Sequence, residues 1–144
     1  MATTPNRGTR GRSGLEYVLE MPSLLQHNVV AEGFAYETVE RLRGWVGLTL
    51  EEVSACVAVP MRTLARRKKE GRLDSHESDR VLRAARLFKA TLALFEGDTD
   101  AARKWFHAPH RALGDMSPLA LASTDVGARE VEALIGRLEH GVIG

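Results

Sequence analysis

The sequence predicts an all-α fold, and three observations carry that prediction. Apolar residues recur at spacings of three and four in one segment after another. Residues that start and stop helices bracket those segments: Thr49, Asp74, Asp98 and Asp125 open them, and Gly33, Gly47 and Gly97 close them. No stretch shows the apolar/polar alternation of a half-buried strand. The chain has 144 residues and is 44% hydrophobic, enough for one compact domain or two very small ones around a real core.

Each element follows from its own signals. Residues 1–14 are rich in Thr, Gly, Arg and Ser and carry almost nothing apolar, which reads as a mobile basic arm. That arm is either an unremarkable terminus or one that touches phosphates or a minor groove through Arg7, Arg10 and Arg12. Pro22 suits the first turn of a short helix to Ala31, which Gly33 ends. Val39, Leu42, Trp45 and Val46 mark a helix from Tyr36 to Val46. Thr49-Leu50-Glu51-Glu52 is a capping box, in which Glu52 stands three residues after the capping Thr49. The short helix it opens buries Leu50 and Val53 and ends near Cys56. After the turn Val57-Ala58-Val59, Pro60 opens a helix over Met61–Lys68. Asp74 caps a long helix to about Phe95, with Val81, Leu82, Ala85, Leu87, Phe88, Leu92 and Leu94 as apolar positions. Asp98 caps a helix that carries Ala101, Ala102, Trp105 and Phe106 and ends before Pro109. A loop through Gly114 leads to a short turn of helix at Pro118. Asp125 caps the terminal helix, whose apolar positions are Val131, Leu134, Ile135, Leu138 and Val142.

Composition excludes several classes. Cys56 is the single cysteine, so no intrachain disulfide can form, and a reducing, cytoplasmic setting is expected. Cys56 itself reads as an inert small hydrophobe. No apolar run approaches membrane-spanning length, and the arginines of the N-terminus precede no apolar stretch of a secretory signal. Nucleophile elbow, phosphate loop and paired-acid motifs are all missing, so the chain does not read as an enzyme. His107 and His110 straddle Pro109 with no cysteine or carboxylate beside them, a poor metal site; no metal and no cofactor are implied. Trp105 and Phe106 read as core or dimer packing rather than ligand stacking, and Trp45 as core.

The net charge is only +1, but its distribution is uneven. Residues 1–73 carry 11 Lys/Arg against 8 Asp/Glu. Arg62, Arg66, Arg67, Lys68, Lys69 and Arg72 fall within one short segment against Glu70 alone, a local patch able to steer DNA. The helices at about Leu50–Cys56 and Pro60–Lys68, joined by an apolar turn, have the order of a helix-turn-helix. Ala55 and the turn are expected to let the two helices cross closely over Val53, Val59 and Leu64. The second helix would enter the major groove with Met61, Arg62, Thr63 and Arg66 at the base edges. Arg62 and Arg66 share a face and suit guanine, and Thr63 suits a thymine methyl. Arg67, Lys68, Lys69 and Arg72 are the expected phosphate contacts. A solvated basic face is the competing reading.

Several further stretches complete a pattern. They are Arg62-Thr63-Leu64-Ala65-Arg66-Arg67, Gly71-Arg72-Leu73, Glu77-Ser78-Asp79-Arg80, Phe95-Glu96-Gly97-Asp98 and Ala102-Arg103-Lys104-Trp105-Phe106. Pro109-His110-Arg111-Ala112-Leu113-Gly114, Ser117-Pro118-Leu119 and Thr124-Asp125-Val126-Gly127-Ala128-Arg129-Glu130-Val131 follow. With them the chain resembles the Xre/MbcA/ParS family of bacterial antitoxins from about Gly33 onward. It departs from the family pattern in having Phe106 after Trp105 and Gly114-Asp115 where a Gly-Gly pair is usual. The resemblance implies an N-terminal Xre-like helix-turn-helix domain followed by a C-terminal helical domain that binds toxin and dimerises. It also implies a partner, a RES-domain toxin that consumes NAD, neutralised by occlusion of its active site. It further implies repression of the chain's own operon through operator DNA. The corresponding division is an arm over 1–14, a DNA-binding domain over 15–73 and a toxin-binding and dimerisation domain over 74–144.

A pocket built for a dinucleotide must receive phosphates and is expected to be basic. An inhibitor can offer it carboxylates, for which Glu132, Glu139 and the terminal carboxylate of Gly144 are candidates. It can instead plug the mouth, for which Arg137, His140, Val142 and Ile143 are suited. Packing of that tail on its own domain is the alternative. A helix-turn-helix that reads two half-sites needs two copies, so a homodimer through the C-terminal domain is expected. Two rivals stay open: a stand-alone transcription regulator with an effector-binding C-terminal domain, and a toxin-binding protein that has lost DNA binding.

Overall fold

A computed structural model describes residues 14–141. Within them the chain folds into nine α-helices and one short 3-10 turn: α1 (Gly14–Leu19), α2 (Ser23–Glu32), α3 (Glu37–Val46), α4 (Leu50–Val57), α5 (Met61–Glu70), α6 (Ser75–Leu94), α7 (Thr99–His107), the 3-10 turn (Arg111–Leu113), α8 (Pro118–Leu121) and α9 (Asp125–Glu139). Backbone pairing outside helices is limited, among the described residues, to the isolated bridges Ala35–Arg72 and His110–Met116. The all-α reading is therefore the observed one.

α4, α6, α7, α8 and α9 begin where a side chain satisfies a free backbone N–H group. Thr49 and Glu52 form the reciprocal capping box of α4, and Asp74 and Glu77 form that of α6. Asp98 accepts from the Ala101 N–H at 3.1 Å to start α7. One cap differs from the sequence expectation. Thr124, not Asp125, caps α9, its hydroxyl accepting from the Gly127 N–H at 2.9 Å. Asp125 is instead the first helical residue, where a carboxylate still suits the helix dipole, and it pairs with Arg129 at 2.9 Å. The sequence also left residues 15–21 without an element. Leu15 and Val18 there are buried three apart on α1, too short a segment for its periodicity to stand out.

The long α6 is the axis of the molecule. It packs against α1, α2, α3 and α4 on one side of the sequence and α7 and α9 on the other. Its Val81, Leu82, Ala84, Ala85, Leu87 and Phe88 sit in a single core with Val39, Leu42, Val53, Val57, Leu64, Phe106, Val131 and Ile135. Leu92 and Leu94, also expected on the buried side, are only half-buried at the end of the helix. Phe88 lies at the centre, edge-on to Trp45 of α3 at 5.2 Å and to Phe106 of α7 at 5.6 Å between ring centroids. Trp45 and Trp105 are half-buried rather than fully enclosed. Two glycines are required by close approach. A Cβ on Gly33, which has φ of +93°, would run into the Leu73 carbonyl, and a Cβ on Gly127 would run into the Leu121 carbonyl. No buried side-chain nitrogen or oxygen among the described residues lacks a partner.

Candidate functional site

The unit α4–turn–α5 is built by a backbone device. Ala58 adopts a left-handed conformation (φ 54°, ψ 45°), which reverses the chain after α4. The Val59 N–H then donates to the Ser54 carbonyl at 3.0 Å, and the Ser54 hydroxyl donates to the Val59 carbonyl at 2.6 Å. Val53, Val57, Val59 and Leu64 are buried between the helices and against α6. Ala55, expected at the helix crossing, is exposed. Cys56 and Val57 turn inward instead, and the left-handed Ala58 supplies the sharp corner that a small crossing residue would otherwise have to provide.

On α5, Leu64 is the one fully buried residue, and Pro60 caps the start through its own fixed φ. Met61, Arg62, Ala65, Arg66, Lys68 and Lys69 are exposed, and Thr63 is half-buried. Arg62, Ala65, Arg66 and Lys69 recur at helical spacing and form one outward stripe. Arg66 has only a long contact to Glu70, at 3.8 Å. Arg67 points elsewhere. It pairs in a fork with Glu77 of α6 and also reaches Glu70 and Asp74, and these hydrogen bonds, with Glu77 first, hold its guanidinium even more firmly protonated than usual. Arg72, just past the helix, donates to the Gly33 carbonyl, and its backbone pairs with Ala35.

The helices α3 and α4 are fastened to those of the C-terminal half. Arg103 of α7 donates from Nε to the Trp45 carbonyl at 3.0 Å and from Nη2 to the Gly44 carbonyl at 2.8 Å, covering free carbonyls at the end of α3. α4 packs against α8, and Arg83 of α6 donates to the Ala122 carbonyl at 3.0 Å, at the end of α8. At the far end of α7, His110 Nε2 lies 2.8 Å from the Trp105 carbonyl, and its ring rests on the Trp105 indole with centroids 4.6 Å apart. His107 Nδ1 lies 2.7 Å from the Arg103 carbonyl. His110 thus serves the local backbone, while His107 also lies 3.9 Å through Nε2 from Glu52 Oε1 of α4, and no group of three or more His, Cys, Asp or Glu side chains that could hold a metal ion occurs among the described residues. The Cys56 thiol is buried, and burial pushes its pKa up to about 12.

Comparison with known proteins fits both halves. Residues 26–86 match the sequence model of the antitoxin Xre-like helix-turn-helix domain, and residues 90–141 match that of the antitoxin Xre/MbcA/ParS C-terminal toxin-binding domain. The chain is 39% identical over 111 residues to the antitoxin Xre of Yersinia enterocolitica, covering 76% of this chain and 75% of that one. It is 31% identical over 116 residues to the antitoxin Xre of Photorhabdus laumondii, covering 80% and 78% of the two chains. To the antitoxin Xre of Pseudomonas putida it is 28% identical over 137 residues, covering 90% and 83%.

The chain belongs to the Xre antitoxin family. It is an antitoxin of a toxin–antitoxin system, with a helix-turn-helix domain followed by a C-terminal domain of the toxin-binding type. No helix among its described residues is long and apolar enough to cross a membrane.

The candidate residues on the antitoxin's last helix separate into two groups. Glu132 faces α6 and pairs with Arg86 at 3.0 Å, so its carboxylate has a partner within the chain. Arg137, Glu139 and His140 are exposed at the end of α9, with His140 Nδ1 2.9 Å from the Gly136 carbonyl. Val142, Ile143 and Gly144 lie outside the described residues, as do Arg7, Arg10 and Arg12 of the N-terminal arm. Sequence reasoning missed the partners of Arg67. Asp74 was legible as a cap, but neither the part of Glu77 in that cap nor the approach of α5 to that helix start was.

Proposed function

We propose that this antitoxin, of a type II system, neutralises a RES-domain toxin that degrades NAD by occluding the toxin's active site. In the same reading it represses its own operon by binding operator DNA, and it acts in the cytoplasm. The observation that carries the DNA half is the outward stripe of Arg62, Ala65, Arg66 and Lys69 on α5, opposite the buried Leu64. Met61, Arg62, Thr63 and Arg66 stand in the first part of that helix, where a recognition helix meets base edges, and Lys68 and Lys69 at its end, with Arg72 just past it, among phosphates. The toxin half rests on the family of the C-terminal domain and on exposed Arg137, Glu139 and His140 at the end of α9. Gly141 to Gly144 continue from there and, with Val142 and Ile143, supply the plug at the pocket mouth; Glu132 borders that surface while paired to Arg86.

The antitoxin works as a homodimer through its C-terminal domain, where Met116 and Val126 are the exposed large apolar side chains among the described residues. A second exposed apolar set, Tyr17, Leu24 and Leu25, lies on α1 and α2. Charged substitutions at Val126 and at Leu24, read by light scattering, therefore locate the dimer contact.

The deciding experiment is co-expression with the neighbouring open reading frame, followed by pull-down and an assay of cellular NAD. A stable complex, with NAD preserved only while the antitoxin is present, supports the reading. Absence of a complex, with promoter binding retained, refutes the toxin half and leaves a stand-alone regulator. Removal of residues 141–144 is expected to weaken protection; undiminished protection would sink the plug.

A further inference from the structure

The basic residues of α5 do not all serve the same surface. Arg62, Arg66 and Lys69 share the outer stripe, whereas Arg67 stands three residues after the buried Leu64, on the inner side. Its side chain is 19% exposed. Arg67 Nε donates to Glu77 Oε1 at 2.8 Å and Nη2 donates to Glu77 Oε2 at 3.1 Å. Nη1 reaches Glu70 at 3.0 Å, and Nη2 also reaches Asp74 at 3.2 Å. The Glu77 side chain is itself only 7% exposed. Its Oε1 also accepts from the Asp74 backbone N–H at 2.9 Å, closing the capping box of α6. One planar guanidinium therefore ties the last turn of α5 to the first turn of α6, and three carboxylates surround it. A phosphate arriving there would meet net negative charge and would have to displace those partners.

The geometry points to Arg67 as a positioning residue: acting through Glu77, it fixes the orientation of α5 on α6 so that Arg62 and Arg66 present to the bases, and it contacts no phosphate. This inference rests on the DNA-binding reading above. The fork is the essential property, because an ammonium cannot span both oxygens of Glu77 and the neighbouring carboxylates in one fixed plane.

The test measures binding of the full chain to a fragment from upstream of its own gene and to random DNA of equal length, across a salt series. Wild type, Glu77→Gln, Arg67→Lys and Lys69→Ala are compared. Lys69→Ala calibrates a phosphate contact, with the salt slope reduced by about 1. Glu77→Gln is expected to lower the preference for the upstream fragment by about tenfold, the scale of one weakened base contact, while keeping the wild-type slope. A Glu77→Gln protein that binds all DNA more tightly with a steeper slope would mean that Arg67, once released, is a phosphate contact, and the inference falls. Unchanged preference and slope overturn it too. If circular dichroism shows Glu77→Gln unfolded, Arg67→Lys decides. A lowered preference at unchanged slope supports positioning, and unaltered binding overturns it, since lysine contacts a phosphate as readily as arginine does. A wild-type chain with no salt-dependent binding defeats the DNA reading itself, a result separate from all of these.

Discussion

Arg103 of α7 donates from Nε to the backbone carbonyl of Trp45, 58 residues earlier, at 3.0 Å. A helix of the C-terminal module thus finishes a helix of the N-terminal one. Its Nη2 bond to Gly44 at 2.8 Å doubles the link, and its side chain packs beside Gly47. Arg103→Ala is expected to cost about 1–3 kcal/mol, the range for hydrogen bonds from a charged donor whose acceptors lose their partner. Thermal unfolding followed by circular dichroism should show a Tm lower by about 5 °C in a chain of this size.

Phe88→Ala removes the ring shared by Trp45 and Phe106 and is expected to cost about 3–5 kcal/mol. The tryptophan fluorescence and the helical signal should then melt together at a lower temperature. Two separated transitions would mean that the halves are not coupled through this ring.

Two glycines of α9 respond in opposite directions. Gly127→Ala drives a Cβ into the Leu121 carbonyl and must push α8 away, so the Tm falls. Gly136→Ala meets nothing within 4 Å and is expected to gain about 0.5–1 kcal/mol from helix propensity alone. Paired thermal melts of the two variants check both signs.

The Cys56 thiol, buried and with its pKa pushed up to about 12 from 9.0, is expected to resist a disulfide reagent until the chain unfolds. The same shift fixes a pH dependence. The folded-state pKa is raised, so the contribution is complete below pH 9 and fades as pH climbs toward 12, where only the unfolded chain releases its proton. Denaturant melts of wild type and Cys56→Ala should therefore converge as pH rises through that window.

Arg62→Ala is expected to cost about 1–3 kcal/mol on the preferred DNA and to relax its sequence preference. Equal losses on every sequence would make Arg62 a phosphate contact instead. Gel-shift titrations on operator and random fragments distinguish the two.

Most of the helices were legible because their caps are local. Thr49 with Glu52, Asp74 and Asp98 each announce a helix start within four residues. Val126 stands apolar by type yet 73% exposed, because it lies in the first turn of α9 and faces away from α6. Ala55 fails as a crossing residue for a similar reason. Size permits a close approach, but the helical phase set by Val53, Cys56 and Val57 turns it to solvent. The basic composition of α5 was equally plain, whereas its division into an outer stripe and an inward Arg67 depends on where the start of α6 comes to rest. The Thr124 cap was hidden by its neighbour Asp125, an equally good capping residue one position on.

The two family matches end at residue 86 and begin at residue 90, both inside α6, which runs from Ser75 to Leu94 without a break. Any exchange of modules between relatives must therefore happen within a continuous helix. A recombination there that gained or lost one residue would turn everything beyond it by about 100° and shift it by about 1.5 Å. The face that receives Phe106 and Val131 would then point to solvent. Lineages can trade helix-turn-helix halves for new ones only in helical register, and that restricts viable crossovers far more than a flexible tether would.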